Sequence, residues 1–232
     1  MDDGQAHVIA ERVGLPSVRR RIGRENLARI LKAAERVFAE TGFEGATMAL
    51  IAEQAELPKA NLHYYFGTKE ELYRAVLRDI LSVWLEPMEA IRPDADPATA
   101  LADYVRVKIE ASRTRPLASR VFANEVLHGA PQIERFLSRD LRDLVSAKAK
   151  VLDGWIAAGR MAPVDPKQFF FMIWALTQHY ADFAVQVRLV LDKKRLERKD
   201  WDHIAAEVTR LVLRAAGLAE ADISRVHLSK GA

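Results

Sequence analysis

The 232-residue sequence has no cysteine, which excludes disulfide bonds and thiolate metal sites and fits a reducing compartment. It also lacks any apolar run near the roughly 18 residues that crossing a bilayer requires. Its opening, "MDDGQAHVIAERVGLP", is acidic where a secretory leader would be basic, and it has no apolar core segment. These absences point to a soluble, cytoplasmic protein. An excess of charge of one sign is missing as well: 35 Lys and Arg stand against 32 Asp and Glu, a net of +3. That total neither demands nor forbids a nucleic-acid partner, so the question turns on where the charge lies. Period-two alternation is absent, so little strand is expected.

What is present is helical period. Half of the residues are hydrophobic, enough for a sizeable core in one large domain or two modest ones. Leu27, Ile30, Leu31, Ala34, Val37 and Phe38 fall on one stripe, and Gly42 is a natural helix stop. Thr47 offers an N-cap to a short helix carrying Leu50, Ile51 and Ala55. "ELPKANLHYYF" then predicts a tight turn and a second short helix, ended by Gly67. Thr68 with Glu71 forms a capping box for a long helix through "KEELYRAVLRDILSVWLEPMEAI", kinked at Pro87. After "RPDADP", which has linker composition, helical patterns cover about 98–114, 116–128, 131–159, 166–191 and 196–217. The expected fold is all-α, with about nine helices in three parts. A flexible basic arm spans 1–24, a helix-turn-helix unit 25–70, and an effector-binding and dimerisation domain 71–232.

The two short helices have the spacing of a DNA reader. Ile51, Ala52 and Ala55 on the first can meet Leu57 and Leu62 on the second, and the small alanines permit a close crossing. On the outer face of the second lie Lys59, Ala60, Asn61 and His63. Lysine can donate to guanine O6 or N7, asparagine can pair with adenine, and alanine leaves room for a thymine methyl. The hydroxyls of Tyr64 and Tyr65 can reach phosphates, and Lys69 adds a cation. Thr47 can cap its helix while meeting a phosphate at the positive helix end. Arg19, Arg20, Arg21 and Arg24 precede the first stripe, either as a solvated arm or as one that grips phosphates.

The run "TMALIAEQAELPKANLHYYFGTKEEL" resembles the signature of the TetR family of transcriptional repressors. Thr47, Ile51, Ala52, Ala55, Tyr64, Phe66, Lys69, Glu70 and Leu72 match it. Glu56 stands where that family usually has a turn glycine, Pro58 where Ser or Thr usually caps, and His63 where an aromatic is frequent. The resemblance implies a homodimer that places its readers in successive major grooves of a near-palindromic operator. It favours the phosphate-gripping reading of the four arginines.

Further on, "FMIWALTQHYADFAVQV" is an apolar helix interrupted by Gln178, His179, Tyr180 and Asp182. Trp174, Gln178 and Asp182 step by four and share a face with Thr177 and Ala181. Such groups can serve neighbouring helices or face a ligand. His179 and Asp182 lack a third partner, so no metal site is expected. "SVWLEPM", "SRTRPLASRVF", "NEVLHGAP" and this helix are similar to a branch of the same family that governs pyrimidine utilisation. Its members lose DNA affinity on binding uracil or thymine, and the likeness implies the same here. The chemistry suits it, since a carboxamide pairs twice with a pyrimidinedione edge and an indole stacks on its face. Trp174 and Gln178 are the expected centre, Trp84 a wall, and Glu125 and Asp182 acceptors for a remaining N–H. Glu125 fits equally well as a tie between helices. Trp155 and Trp201 are assigned to packing, the loop carrying Lys193, Lys194, Arg195, Arg198 and Lys199 to solvent, and the last two helices to a four-helix dimer bundle. No nucleophile elbow, phosphate loop or cofactor motif is present, so neither an enzyme nor a cofactor is expected. The alternative is a regulator of the same type with a different aromatic or acyl effector.

Overall fold

A computed structural model describes residues 17–218, with side chains from residue 23 onward. The first helix, α1 (Ser17–Gly45), begins inside the stretch expected to be an arm. The backbone at Arg19, Arg20, Arg21 and Arg24 is therefore helical, and the side chains of the first three lie outside the described residues. Arginine is a good helix former, and nothing between Ser17 and Leu27 interrupts the turn. Gly42, at φ 72°, bends the chain away near the other end. There follow α2 (Met48–Gln54), α3 (Lys59–Tyr65) and α4 (Lys69–Leu85). The expected kink at Pro87 is a 3-10 turn, Glu86–Ala90.

Beyond it lie α5 (Pro97–Thr114) and α6 (Pro116–Leu127). A short turn (Glu134–Phe136) and a π turn (Leu137–Leu141) lead into α7 (Arg142–Ala157). The last helices among the described residues are α8 (Pro166–Asp182), α9 (Ala184–Val190) and α10 (Arg198–Ala215). No strand occurs among the described residues. Side-chain oxygens of Asp96 and Asp165 cap α5 and α8, each satisfying N–H groups that a first turn leaves unpaired.

One helix expected to be regular carries a π turn, and another is broken. The π turn adds a residue without stopping the apolar period, so the pattern over 131–159 reads as one helix. At Phe183 the backbone leaves the helical region (φ −110°, ψ 31°), although no glycine or proline marks the place.

Buried residues form two cores. One joins α1 to α4 with Ala111 of α5, Ala118 and Val121 of α6, and Ala130 and Ile133 after it. The other holds α5, α7, α8 and α10 around Tyr104, Trp155 and Phe170. Helix α6 packs against α1, α4, α5 and α8 and so touches both groups. Among the described residues no helix is long and apolar enough to cross a membrane.

Candidate DNA interface and effector site

The reader forms as its residues dictate. The Thr47 hydroxyl accepts from the Leu50 N–H at 3.1 Å, α2 buries Ile51 and Ala52, and α3 buries Leu62. The Leu57 N–H donates to the Ala52 carbonyl at 3.0 Å and closes the turn. Lys59, Ala60, His63 and Tyr64 are exposed and Asn61 is half-buried, so α3 presents one continuous polar face. The Tyr65 hydroxyl donates to the Gly23 carbonyl at 3.2 Å. It is therefore engaged within the fold rather than free for phosphate, and it holds the basic start of α1 beside the reading helix. Lys69 also has partners within the fold. Its ammonium donates to the Phe43 and Ala46 carbonyls at 2.8 and 3.1 Å and lies 4.3 Å from the Phe43 ring centroid. It closes the end of α1 with two of its three donors, which leaves one N–H for the expected phosphate contact.

In the second core, α5 and α8 lie side by side. The Trp174 indole N–H donates to the Tyr104 hydroxyl at 2.7 Å, and the Ser112 hydroxyl donates to the Thr177 carbonyl at 2.8 Å. Lys108 sits between these two ties on α5, one turn from each, and is 4% exposed. Its ammonium lies 4.6 Å from the Trp84 ring centroid and makes no hydrogen bond with any described residue. Burial pulls the amine down to about 7, opposed by the charge of Asp182. The Asp182 carboxylate accepts from the Ser119 hydroxyl of α6. Burial raises its pKa, while Ser119, Lys108 and His179 hold it down. As a carboxylate in the last turn of α8 it also faces the negative helix end. Its outer side is exposed, which tempers the burial effect. Gln178 is half-buried and makes no hydrogen bond with a described residue.

The site therefore differs from the expected one at Trp84 and Lys108. Glu125 is buried and its carboxylate accepts from the Gln132 N–H at 2.6 Å and from the Tyr73 hydroxyl. It ties α6 to α4, which is the alternative that the sequence left open for it. Trp84 is buried, with Phe122 edge-on at 5.1 Å and the Lys108 ammonium over its face. It seats Lys108 and is not an open stacking wall. Trp174, its N–H fixed on Tyr104, has only its ring face to offer. Trp155 and Trp201 are packing residues, the first with its N–H on the Pro93 carbonyl at 3.3 Å and the second against Tyr180. Lys108 was not expected from the sequence. It falls on the buried row Leu101, Tyr104, Val105, Ser112, and a lysine in that row is the signal that could have found it. No group of three or more metal-binding side chains occurs among the described residues.

Residues 30–76 match the family described as bacterial regulatory proteins, tetR family, and residues 77–219 match the YcdC-like protein C-terminal region. The chain is 45% identical over 184 residues to the HTH-type transcriptional regulator RutR of Escherichia coli K12, covering 79% of this chain and 87% of that one. The chain belongs to the TetR family of DNA-binding transcriptional regulators. The HTH-type transcriptional repressor NicS of Pseudomonas putida is 33% identical over 132 residues, 56% of this chain and 61% of its own. Among solved structures, a tetR-family regulatory protein from Rhodococcus RHA1 superimposes with a TM-score of 0.66 at 22% identity, covering 84% of this chain and 98% of that one. AibR, solved with isovaleryl coenzyme A and operator DNA, gives 0.62 at 19%, covering 84% of this chain and all of its own. These structures share the TetR fold.

The departures from the family signature have visible consequences. Glu56 adopts φ 54°, a left-handed conformation that only glycine enters freely. The Arg29 guanidinium compensates in part by donating to the Ala55 and Glu56 carbonyls at 2.8 and 3.3 Å. Replacing Glu56 with glycine is expected to stabilise the fold by roughly 0.5–1 kcal/mol, the left-handed cost less glycine's extra chain entropy. Urea unfolding checks this, and a loss of stability would show that Arg29 removes the strain entirely. Pro58 makes no side-chain cap for α3, as its chemistry requires.

Proposed function

We propose that this TetR-family regulator binds a near-palindromic operator as a homodimer and loses affinity for it on binding a pyrimidinedione, uracil or thymine, in control of pyrimidine catabolism in the cytoplasm. The observation that carries the effector reading is Gln178. Its half-buried amide is without a hydrogen bond among the described residues, one turn beyond an indole that Tyr104 fixes. That amide can donate to a ring carbonyl and accept from the ring N–H. The identity with RutR over most of the chain supports the same reading.

On the DNA side, the proposal gives base contacts to Lys59, Ala60, Asn61 and His63, and phosphate contacts to Thr47, Tyr64 and the arginines 19, 20, 21 and 24. Dimerisation uses α8 to α10, where Phe171, Phe183, Val185, Leu189, Val190 and Leu211 are exposed on this subunit and unusually apolar for a free surface. Coupling runs through α4, which leaves the recognition element directly, and through α6. Arg115 at the head of α6 donates to Glu35 of α1 and, at 2.7 Å, to Asp79 of α4. One turn on, Ser119 holds Asp182.

Calorimetric titration of uracil into the free dimer and the operator-bound dimer tests this reading. Linkage requires operator to weaken uracil binding by the factor through which uracil weakens operator binding, typically 5–150-fold. Equal uracil affinity in both titrations would reject the coupling, and binding of an acyl or other aromatic compound in place of uracil would reject the effector. Gln178→Leu is expected to cost about 2 kcal/mol of uracil binding, roughly thirtyfold.

A further inference from the structure

Lys108 has no part in the coupling just described, yet it is the most deeply buried cation among the described residues whose burial is known. Its ammonium makes no hydrogen bond to a described residue and is not among the fully enclosed polar atoms left without a partner, so its N–H groups stay open to a ligand. Its charged neighbour is Asp182 of α8, with His179 one turn behind it. Trp84 of α4 and Ser119 of α6 contribute no charge. The second Asp182 oxygen is likewise without a hydrogen bond to a described residue. Lys108 and Asp182 feel each other's charge without forming a direct ion pair, and the pair, balanced in sign, does not call for an ionised ligand. It calls for a neutral one that brings an acceptor and a donor next to each other.

We propose that Lys108 is the specificity-determining residue of the effector site, its ammonium taking a carbonyl oxygen of a cyclic lactam or imide while Asp182 takes the adjacent ring N–H. This rests on the effector reading above and names the part of the ligand that Gln178 does not reach. Fatty acyl chains and simple aromatic hydrocarbons lack that adjacent pair and are rejected, since they would leave both charges unpaired. A carbonyl on the amine favours its charged form. Because the free protein holds the amine down near neutrality, binding at mildly alkaline pH draws a proton from solution.

The test is calorimetry of uracil and 1,3-dimethyluracil with the full chain at pH 8, in two buffers of different ionisation enthalpy, on wild type and Lys108→Met. Circular dichroism confirms that both are folded. Wild type is expected to bind uracil with uptake of part of a proton. Lys108→Met is expected to bind it on the order of 10–100-fold more weakly and without uptake, as the loss of a hydrogen bond to a charged group implies. Dimethyluracil, which keeps the carbonyls and loses the N–H groups, is expected to bind wild type at least about tenfold more weakly than uracil does. Equal uracil affinity and equal proton uptake in the two proteins would remove Lys108 from the site and leave the pyrimidine reading standing. Failure of uracil to bind wild type would remove both.

Discussion

Arg115→Met is expected to leave a folded regulator whose operator affinity no longer responds to uracil. The guanidinium bridges carboxylates on α1 and α4 from the cap position just before α6, and the three side chains are 29%, 13% and 20% exposed. At that burial the pairs are worth more than surface ion pairs, whose median is about 0–1 kcal/mol. Removing the arginine leaves Glu35 and Asp79 facing the same vacated space without a cation, a loss of about 2–3 kcal/mol, below the 3–5 kcal/mol of a fully buried pair. Urea unfolding reads that loss. Operator anisotropy with and without uracil reads the second effect, a ratio of affinities falling toward one. Adding Glu35→Gln and Asp79→Asn separates the two effects, because it relieves the repulsion and restores stability without restoring the bridge. If Arg115→Met keeps the full uracil ratio, α6 is not part of the coupling.

Stability of the ligand-free protein is expected to depend on pH through Lys108, with a sign opposite to that of a salt-bridged lysine. Its amine is held at about 7 in the folded chain against 10.5 in the unfolded one. Between those values the unfolded chain carries more protons, so stability rises with pH across this window and is flat outside it. The slope reaches at most about 1.4 kcal/mol per pH unit. Lys108→Met removes it. The variant is expected to exceed wild type by a few kcal/mol at pH 6, with the difference closing as pH approaches about 10. Chemical denaturation of both proteins at pH 6, 8 and 10 measures the difference directly, so that other titrating groups cancel. Parallel curves would show that the amine is charged and well solvated in the fold.

Much of the fold was legible because the deciding information is local. Apolar stripes, Thr47 and Thr68 as caps and Gly42 as a bend act within a few residues of themselves, and so did the reader's residue pattern. What escaped was set by partners far along the chain. Lys69 looked like a cation beside the DNA, and its ammonium closes on carbonyls 23 and 26 residues earlier. Trp84 read as a ligand wall and seats Lys108, whereas of the two readings open for Glu125 its contacts with α4 and the segment after α6 match the tie between helices. Arg115 pairs with groups 36 and 80 positions away, and no spacing rule reveals that. Lys108 was visible as a charge in an apolar row and needed only to be weighed as such.

Arg115, which caps α6, and Ser119 within it stand four positions apart, a rise of about 6 Å. In the proposed coupling, the message from a small heterocycle to the first helix of the reader crosses a single helical turn, not the length of the subunit. So short a path bypasses α7 and makes the head of α6 the place where a new sensing domain could be spliced to this reader.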